Sequence, residues 1–419
     1  MTEREPLSSE PYKGVRDFYP RDWAALSGAF RIIRERLALW GYEEYAASPL
    51  ERSELYESKT SDEIVNEQTY TFEDRGGRRV TLRPEMTPTL ARMVAAKRRE
   101  LIFPLRWYSI PNVFRYERPQ RGRLREHYQL NVDLIGLPSG EADVEIIHVA
   151  SSVLKAFGAA PEDFTIRINS RDLLNAACQA VGLSGEEARA YLRLLDRKEK
   201  LPQEEFVSKV AELTGTDPLS LIEDQGPEVA EALDRLQHVI DELAMRGVTN
   251  IVFDPTVTRG FDYYTGIIFE VFDTSPENTR SLFGGGRYDG LVAAFGGESV
   301  PAAGFGMGDV TLMDFLSTHS LTPEASEAPH LYIGTPASAD IPAAQQLAND
   351  LRVDGVRVFV NLTGKSLGDQ VKDADRRGIP HFLAYGAEEQ GSGSAKIKAL
   401  ETGTVTEVPL TGVASFLGI

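Results

Sequence analysis

The chain has 419 residues, with 45 Lys and Arg against 63 Asp and Glu for a formal net charge of −18; that length suggests two or three domains, and the acidic balance speaks against a generic nucleic-acid binder, which normally carries a basic stripe. With 42% hydrophobic residues, 3 Trp, 15 Tyr and 19 Phe, the chain can build real cores, which excludes a disordered protein. One cysteine, Cys178, excludes an internal disulfide or a Cys-based zinc site and points to a reducing cytoplasm, while no run approaches the 18 apolar residues of a membrane span and no apolar leader opens the chain.

In chain order, residues 22–41 carry apolar side chains at helical spacing and stop at Gly41, a C′ glycine. Residues 42–51 read as a strand ending near Pro49, and 67–83 as two strands around the turn Asp74-Arg75-Gly76-Gly77. A helix is expected from Thr87 to Arg99. Two long strands follow, 106–117 and 124–136, joined by a loop over 118–123, and then a helix over 140–157. From 171 to 247 the text turns helical and acidic, with 9 basic against 16 acidic residues. Strand patterns return at 249–254 and 263–272, before a glycine cluster from Gly284 to Gly308 that ends in a helix. Residues 317–329 have linker composition. The remainder, 330–419, alternates strands and helices in a βαβαβ order that predicts a parallel or mixed sheet of about 90 residues.

Several motif fragments carry no chemistry. Gly364-Lys365-Ser366 imitates the end of a P-loop, but Phe359 stands where the loop requires glycine. Glu145 and His148 have the i, i+3 spacing of a di-iron ligand pair in a single copy, which suits a solvated helix face better. No cluster of metal-ligating residues stands out.

The strand 124–136 is more informative. Arg125, His127, Gln129, Asn131 and Asp133 alternate with Glu126, Tyr128, Leu130, Val132 and Leu134, so period 2 separates a polar face from a mostly apolar one. An antiparallel sheet with one wet face would show the same alternation. The adjoining loop tips the balance: from Arg115 to Arg125 there are five Arg and one Glu, and Arg donates in the planar, bidentate geometry that suits phosphate. In Thr258-Arg259-Gly260-Phe261-Asp262-Tyr263-Tyr264-Thr265-Gly266, an Arg beside Gly and two Tyr hydroxyls could meet a polar ring, or form a strand-entry turn with core aromatics. In the stretch around Glu85 and Thr87, an N-cap with Pro88 at N1 is the commoner explanation of Thr87, whereas Glu85 is suited to an ammonium group.

These segments together resemble a known family. FRYERPQRGRLREHYQLNVDLIG (114–136) is similar to motif 2 of class II aminoacyl-tRNA synthetases in its histidyl form. TLRPEMTPTLAR (81–92), TRGFDYYTG (258–266) and GGGRYDGL (284–291) resemble its other diagnostic segments, and YKGVRDFYP (12–20) and GYEEYAASPLE (41–51) its opening and motif 1. The resemblance implies an α+β catalytic domain with an antiparallel sheet over 1–170 and 248–316, a helical insertion over 171–247, a linker over 317–329, and a C-terminal α/β anticodon-binding domain over 330–419. It implies histidine, ATP with Mg2+ and tRNA(His) as substrates and partners, and a homodimer built through motif 1. Arg115 and Arg259 would act at the ATP α-phosphate. Glu117, Arg123 and Arg287 would also bind ATP. Glu85, Thr87 and Gln129 would hold the α-amino group of histidine, and Asp133, Tyr263 and Tyr264 its imidazole.

Two departures bear on this expectation. Thr311 stands where motif 3 places an arginine on the γ-phosphate, so that either Arg287 or Arg123 takes the role, ATP binds differently, or activity is lost. Asp133 is one methylene shorter than the glutamate of many relatives. The alternative reading is a non-catalytic paralogue, such as the regulatory subunit of ATP phosphoribosyltransferase. Such paralogues typically lack both the arginine of the Arg-Gly segment and the anticodon domain, whereas this chain has Arg259 and the region 330–419.

Overall fold

Pro20, with its fixed φ, opens a helix that runs Pro20–Leu39 in the computed structural model, buries Leu26, Phe30, Ile33 and Leu37 at helical spacing, and ends before Gly41 at φ 74°. The structure describes residues 7–57, 68–120, 122–138, 140–198, 201–259, 263–324 and 328–419. The chain divides into two compact units, residues 1–323 and 324–419.

The first unit contains β1 (Glu43–Glu44), β2 (Leu50–Arg52), β3 (Tyr70–Glu73), β4 (Arg79–Leu82), β5 (Leu105–Ser109), β6 (Asn112–Phe114), β7 (Glu126–Ile135), β8 (Phe164–Ser170), β9 (Ile251–Phe253), β10 (Ile267–Asp273), β11 (Ser281–Arg287) and β12 (Ala302–Gly308). Among the described residues, the main sheet has the order β1-β5-β7-β12-β11-β10-β8-β9, with β6 added against β7; β2, β4 and β3 form a small sheet of their own. Pairing is antiparallel throughout the main sheet except for β1–β5 and β8–β9. One face is apolar as the alternation in β7 predicts: Leu130, Val132 and Leu134 join Phe269, Phe283, Phe305 and Met307 in a core shared with the helices Pro20–Leu39 and Gly140–Ala156. Among the described residues, five α-helices between Arg171 and Met245 fill the interval between β8 and β9. Within them Tyr191 is fully buried, and its hydroxyl donates to Asp217, which also accepts from the backbone N–H of Leu219 as an N-cap. Burial pushes the Cys178 thiol up to about 11, so it behaves as a core residue.

The sequence pattern and the structure differ at identifiable places. The stretch 106–117 is two strands rather than one, because Pro111 has no N–H for the ladder; its carbonyl still accepts from Gln129. The stretch 42–51 also splits, giving β1 to the main sheet and β2 to the small one. The segment 263–272 becomes strand only from Ile267. β8 has no counterpart in the sequence pattern, and β11 and β12 are glycine-rich strands where the sequence shows only a glycine cluster. The helix Asp309–Thr318 enters the stretch read as linker, and Leu321 packs on the core.

The second unit has β13 (Leu331–Gly334), β14 (Val358–Val360), β15 (His381–Ala384), β16 (Ser394–Ala399) and β17 (Val405–Pro409), in the order β14-β13-β15-β16-β17. The first three are parallel and the last two pairings antiparallel. Ser366 of the P-loop imitation caps the helix Leu367–Arg376 by accepting from Asp369 N–H. Glu145 likewise has a structural role, taking both Arg106 and the Tyr42 hydroxyl, while His148 packs edge-on against Trp40. No helix among the described residues is long and apolar enough to cross a membrane.

Phe269 lies at the centre of the apolar face, fully buried and edge-on to Phe305 at 6.4 Å. Phe269→Ala should lower the unfolding free energy of the first unit by about 3–5 kcal/mol, read from a shift of its urea midpoint.

Candidate active site

The opposite face of the main sheet is polar at β7 and bare beside it. Cross-strand register places Gly304 opposite Asp133 and Gly286, and Gly306 opposite Asn131 and Gly284. Four glycines on two central strands therefore leave a floor without side chains, walled on one side by the polar row of β7. A Cβ added at Gly304 would collide with the Asp133 carboxylate and the Val132 carbonyl, and one at Gly284 with the Arg259 guanidinium and the Phe269 carbonyl. These glycines are set by close approach.

A cavity of about 100 Å³ opens over this floor. It brings together Arg115, Arg259, Glu85, Thr87, Gln129, Asp133, Tyr263 and Tyr264, drawn from four separate stretches of sequence. Glu85 is 3% exposed and accepts from the Tyr263 hydroxyl at 3.3 Å. The backbone around it is fixed by buried Arg83, which donates to the carbonyls of Ala47 and Asn112. Arg115 donates through Nε to the Pro84 carbonyl at 2.8 Å, which aligns its guanidinium beside Glu85. Thr87 is not an N-cap: the cap position is Met86, without a side-chain bond, and Thr87 lines the cavity.

Arg259 sits at φ 55°, a left-handed conformation that costs a non-glycine residue about 1–2 kcal/mol. Arg171 donates to its carbonyl at 3.0 Å, and Glu270 pairs with its guanidinium at 3.2 Å. Glu270 is the cross-strand neighbour of Gly284, so the pair holds the guanidinium over the bare floor. The Arg259 Nε is buried without a hydrogen-bond partner among the described residues. Gly260, Phe261 and Asp262 of this segment, and Arg121 of the arginine loop, lie outside the described residues.

Asp133 closes the other end of the cavity. Its Oδ1 accepts from the Tyr288 hydroxyl, while its Oδ2 is buried with no partner among the described residues. Burial pushes Asp133 up to about 7, although the Tyr288 hydrogen bond pulls the other way. Burial also raises the phenols of Tyr263, Tyr264 and Tyr288, which remain hydrogen-bond donors at neutral pH.

Three residues expected at ATP do not line this cavity. Arg287 is held on the opposite face, because period 2 sets it out of phase with Gly284 and Gly286; it forks onto Asp143 and reaches Asp289 at 3.1 Å. Glu117 and Arg123 pair with each other at 3.2 Å and do not line the cavity. Arg125, counted in the phosphate-binding run, is structural: it stacks on Tyr116 at 4.0 Å and donates to Tyr12 and the Glu117 carbonyl. Sequence reasoning missed Tyr288 and Asn131. Tyr288 stood inside a quoted motif, and Asn131 on the polar face already identified, so the signals were present but unassigned.

Comparison with known proteins decides the family. Residues 14–310 match the histidyl-tRNA synthetase family, and residues 331–418 match the anticodon binding domain. The chain belongs to the histidyl-tRNA synthetase family. It is 40% identical to a histidine–tRNA ligase of Leptospira biflexa, with 94% of each chain covered, and 36% identical to one of Halobacterium salinarum, with 97% of this chain and 96% of the relative covered. Its fold matches the histidyl-tRNA synthetase from Nostoc sp. PCC 7120 with a TM-score of 0.83 at 22% identity over 99% of each chain. A Bacillus halodurans C structure described as an ATP phosphoribosyltransferase regulatory subunit/histidyl-tRNA synthetase matches at 0.74 and 24% identity, over 91% of this chain and 98% of that one.

The raised Asp133 pKa has a signed consequence. An ordinary aspartate titrates near pH 4, so between about pH 4 and pH 7 the folded chain holds a proton that the unfolded chain has released. Stability of the ligand-free protein should therefore fall as pH rises through that window, relative to an Asp133→Asn variant that lacks this slope. Thermal unfolding of both proteins across the window measures the difference.

Proposed function

We propose that this cavity activates histidine with ATP to histidyl-adenylate, and that the chain then transfers the histidyl group to the 3′ end of its tRNA. The observation that carries the reading is the set of groups that one cavity brings together. It holds a buried aspartate with one unpartnered oxygen, a buried glutamate and two arginines. Histidine offers a group to each of them: an imidazole, an ammonium and a carboxylate. Imidazole differs from other rings in needing partners for two nitrogens, and Asp133 with Tyr264 supplies them. Glu85, with Gln129 and Thr87, takes the ammonium.

A histidine carboxylate oxygen then attacks the α-phosphorus of ATP, the bond from that phosphorus to the bridging oxygen breaks, and pyrophosphate leaves with the electron pair. Negative charge grows on the α-phosphoryl oxygens, where Arg115 and Arg259 are already oriented by Pro84 and Glu270. Tyr263 bridges the ammonium site and the floor, and Arg123 with Glu117 stands outside the cavity where the nucleotide and the acceptor end arrive. Among the described residues no group of three or more His, Cys, Asp or Glu is placed to cage a metal. Mg2+ would come with the ATP phosphates and needs one or two carboxylates, for which Glu277 and Asp314 lie beside the hairpin tip.

In this reading residues 1–170 and 248–316 are the catalytic part, 171–247 an insertion, 317–329 a linker, and 330–419 the part that reads the anticodon of tRNA(His) in the cytoplasm. The regulatory-subunit alternative has less support: Arg259 lines the cavity, and residues 331–418 match an anticodon-binding domain. Leu50 and Phe72, both exposed on one face of the small sheet formed by β2, β4 and β3, support a homodimer.

Purified protein should exchange pyrophosphate into ATP only when histidine is present, and Arg259→Ala should cut that exchange by roughly 10²–10³-fold with its thermal transition retained. An Arg259→Ala protein that stays folded and fully active overturns the assigned role. Sedimentation at micromolar concentration should give twice the chain mass; a monomer would contradict the dimer.

A further inference from the structure

Arg115 and Arg259 together face one phosphoryl group, whereas ATP brings three. A second cavity, of about 180 Å³, lies beside the same strand, β11. It is lined by Leu282, which stands at a bulge in the β10–β11 ladder two residues before the floor glycine Gly284. Thr311 forms its inner wall, with its hydroxyl turned away to donate to the Leu282 carbonyl at 2.6 Å. The tip of the arginine hairpin closes the top, Gly122 lying directly over the Thr311 methyl group. No basic side chain comes from position 311.

The cavity nevertheless has a cation. Arg280, on the loop between β10 and β11, is its one basic lining residue among those described, and it is exposed. Other guanidiniums of the region are bound to carboxylates: Arg16 to Asp309 at 2.7 Å, Arg123 to Glu117, and Arg287 to Asp143. Arg280 forms no ion pair or hydrogen bond among the described residues. An unengaged guanidinium needs no bond broken before it grips a phosphate, and its planar fork suits two phosphoryl oxygens at once.

We propose that Arg280 is the residue that binds the outer phosphates of ATP and steadies the departing pyrophosphate. It enters the site from the β10–β11 loop and supplies from across the cavity the positive charge that Thr311 does not. Glu277 and Asp314 line the same space, and the magnesium that accompanies a nucleoside triphosphate offsets their charge. The proposal rests on the ATP-dependent reading above and goes beyond it by naming a residue.

The test is the KM for ATP and the KM for histidine in the exchange assay, with wild type, Arg280→Lys, Arg280→Ala and Arg280→Glu. The KM for ATP should rise about tenfold in Arg280→Ala, less in Arg280→Lys and more in Arg280→Glu, with the KM for histidine unchanged. A rise below about threefold in Arg280→Ala, equal rises for both substrates, or an Arg280→Glu protein no worse than Arg280→Ala would each overturn it. Histidine binding by the variants, followed by thermal shift, reports that they are folded, and Arg280→Lys keeps the ordering readable if one of the others is not. A wild-type protein without histidine-dependent exchange would instead defeat the ATP reading itself.

Discussion

Everything in the site depends on the empty volume above β11 and β12. A β-sheet normally presents a side chain every second residue on each face, and two packed central strands would fill the space above them. Here Gly284, Gly286, Gly304 and Gly306 face one another across the β11–β12 ladder, and the adjoining β7 row carries Asp133, Asn131 and Gln129. Removing four side chains costs core contacts and backbone entropy. The apolar face beneath compensates with Phe283, Phe305 and Met307, which alternate with the same glycines, and with Phe269 on the neighbouring strand. The sheet is therefore thick on one side and hollow on the other.

Electrostatics is arranged with the same economy. A chain of net charge −18 can bind an anionic nucleotide because its acidic residues are distributed away from the cavity or engaged there as positioning groups. Glu270 aims Arg259, Glu117 holds Arg123, and Asp309 takes both Arg16 and the Tyr128 backbone N–H. His127, at the outer end of the β7 polar row, is pushed down to about 3 by burial and by Arg115 and Arg16, so it stays neutral and does not add to the cationic cluster. Residues 171–247, with 9 basic against 16 acidic residues, carry much of the excess negative charge.

What could be read in advance follows from which signals are local. Period 2 in β7 identified its polar face correctly because a strand's facing is fixed by its own residues. The helices Pro20–Leu39 and Gly140–Ala156 were legible for the same reason, since their apolar spacing needs no partner. β11 and β12 were not legible as strands: glycine has poor strand propensity, and only pairing with β7 and β10 makes them strands. The opposite orientation of Arg287 was equally hidden, because it depends on β11 being a strand at all. Thr87 illustrates the converse error, a local capping rule overridden by its place at the cavity wall. Tyr288 follows β11 directly, and its hydroxyl reaches Asp133 only through the β11–β12–β7 pairing.

The alternation on β12 has a further consequence. Gly304 and Gly306 are interleaved with Ala303, Phe305 and Met307. A slip of one residue in the pairing of β12 with β7 would bring those side chains to the upper surface and drive Phe305 into the cavity. Such a misregistered sheet could keep nearly all its backbone hydrogen bonds and its compactness, yet it would be sealed. The chain thus ties catalytic competence to a single alignment of two strands. A length change in the connection between β11 and β12 can be absorbed outside the ladder, whereas an insertion or deletion of one residue within β12 converts a hollow sheet into a solid one.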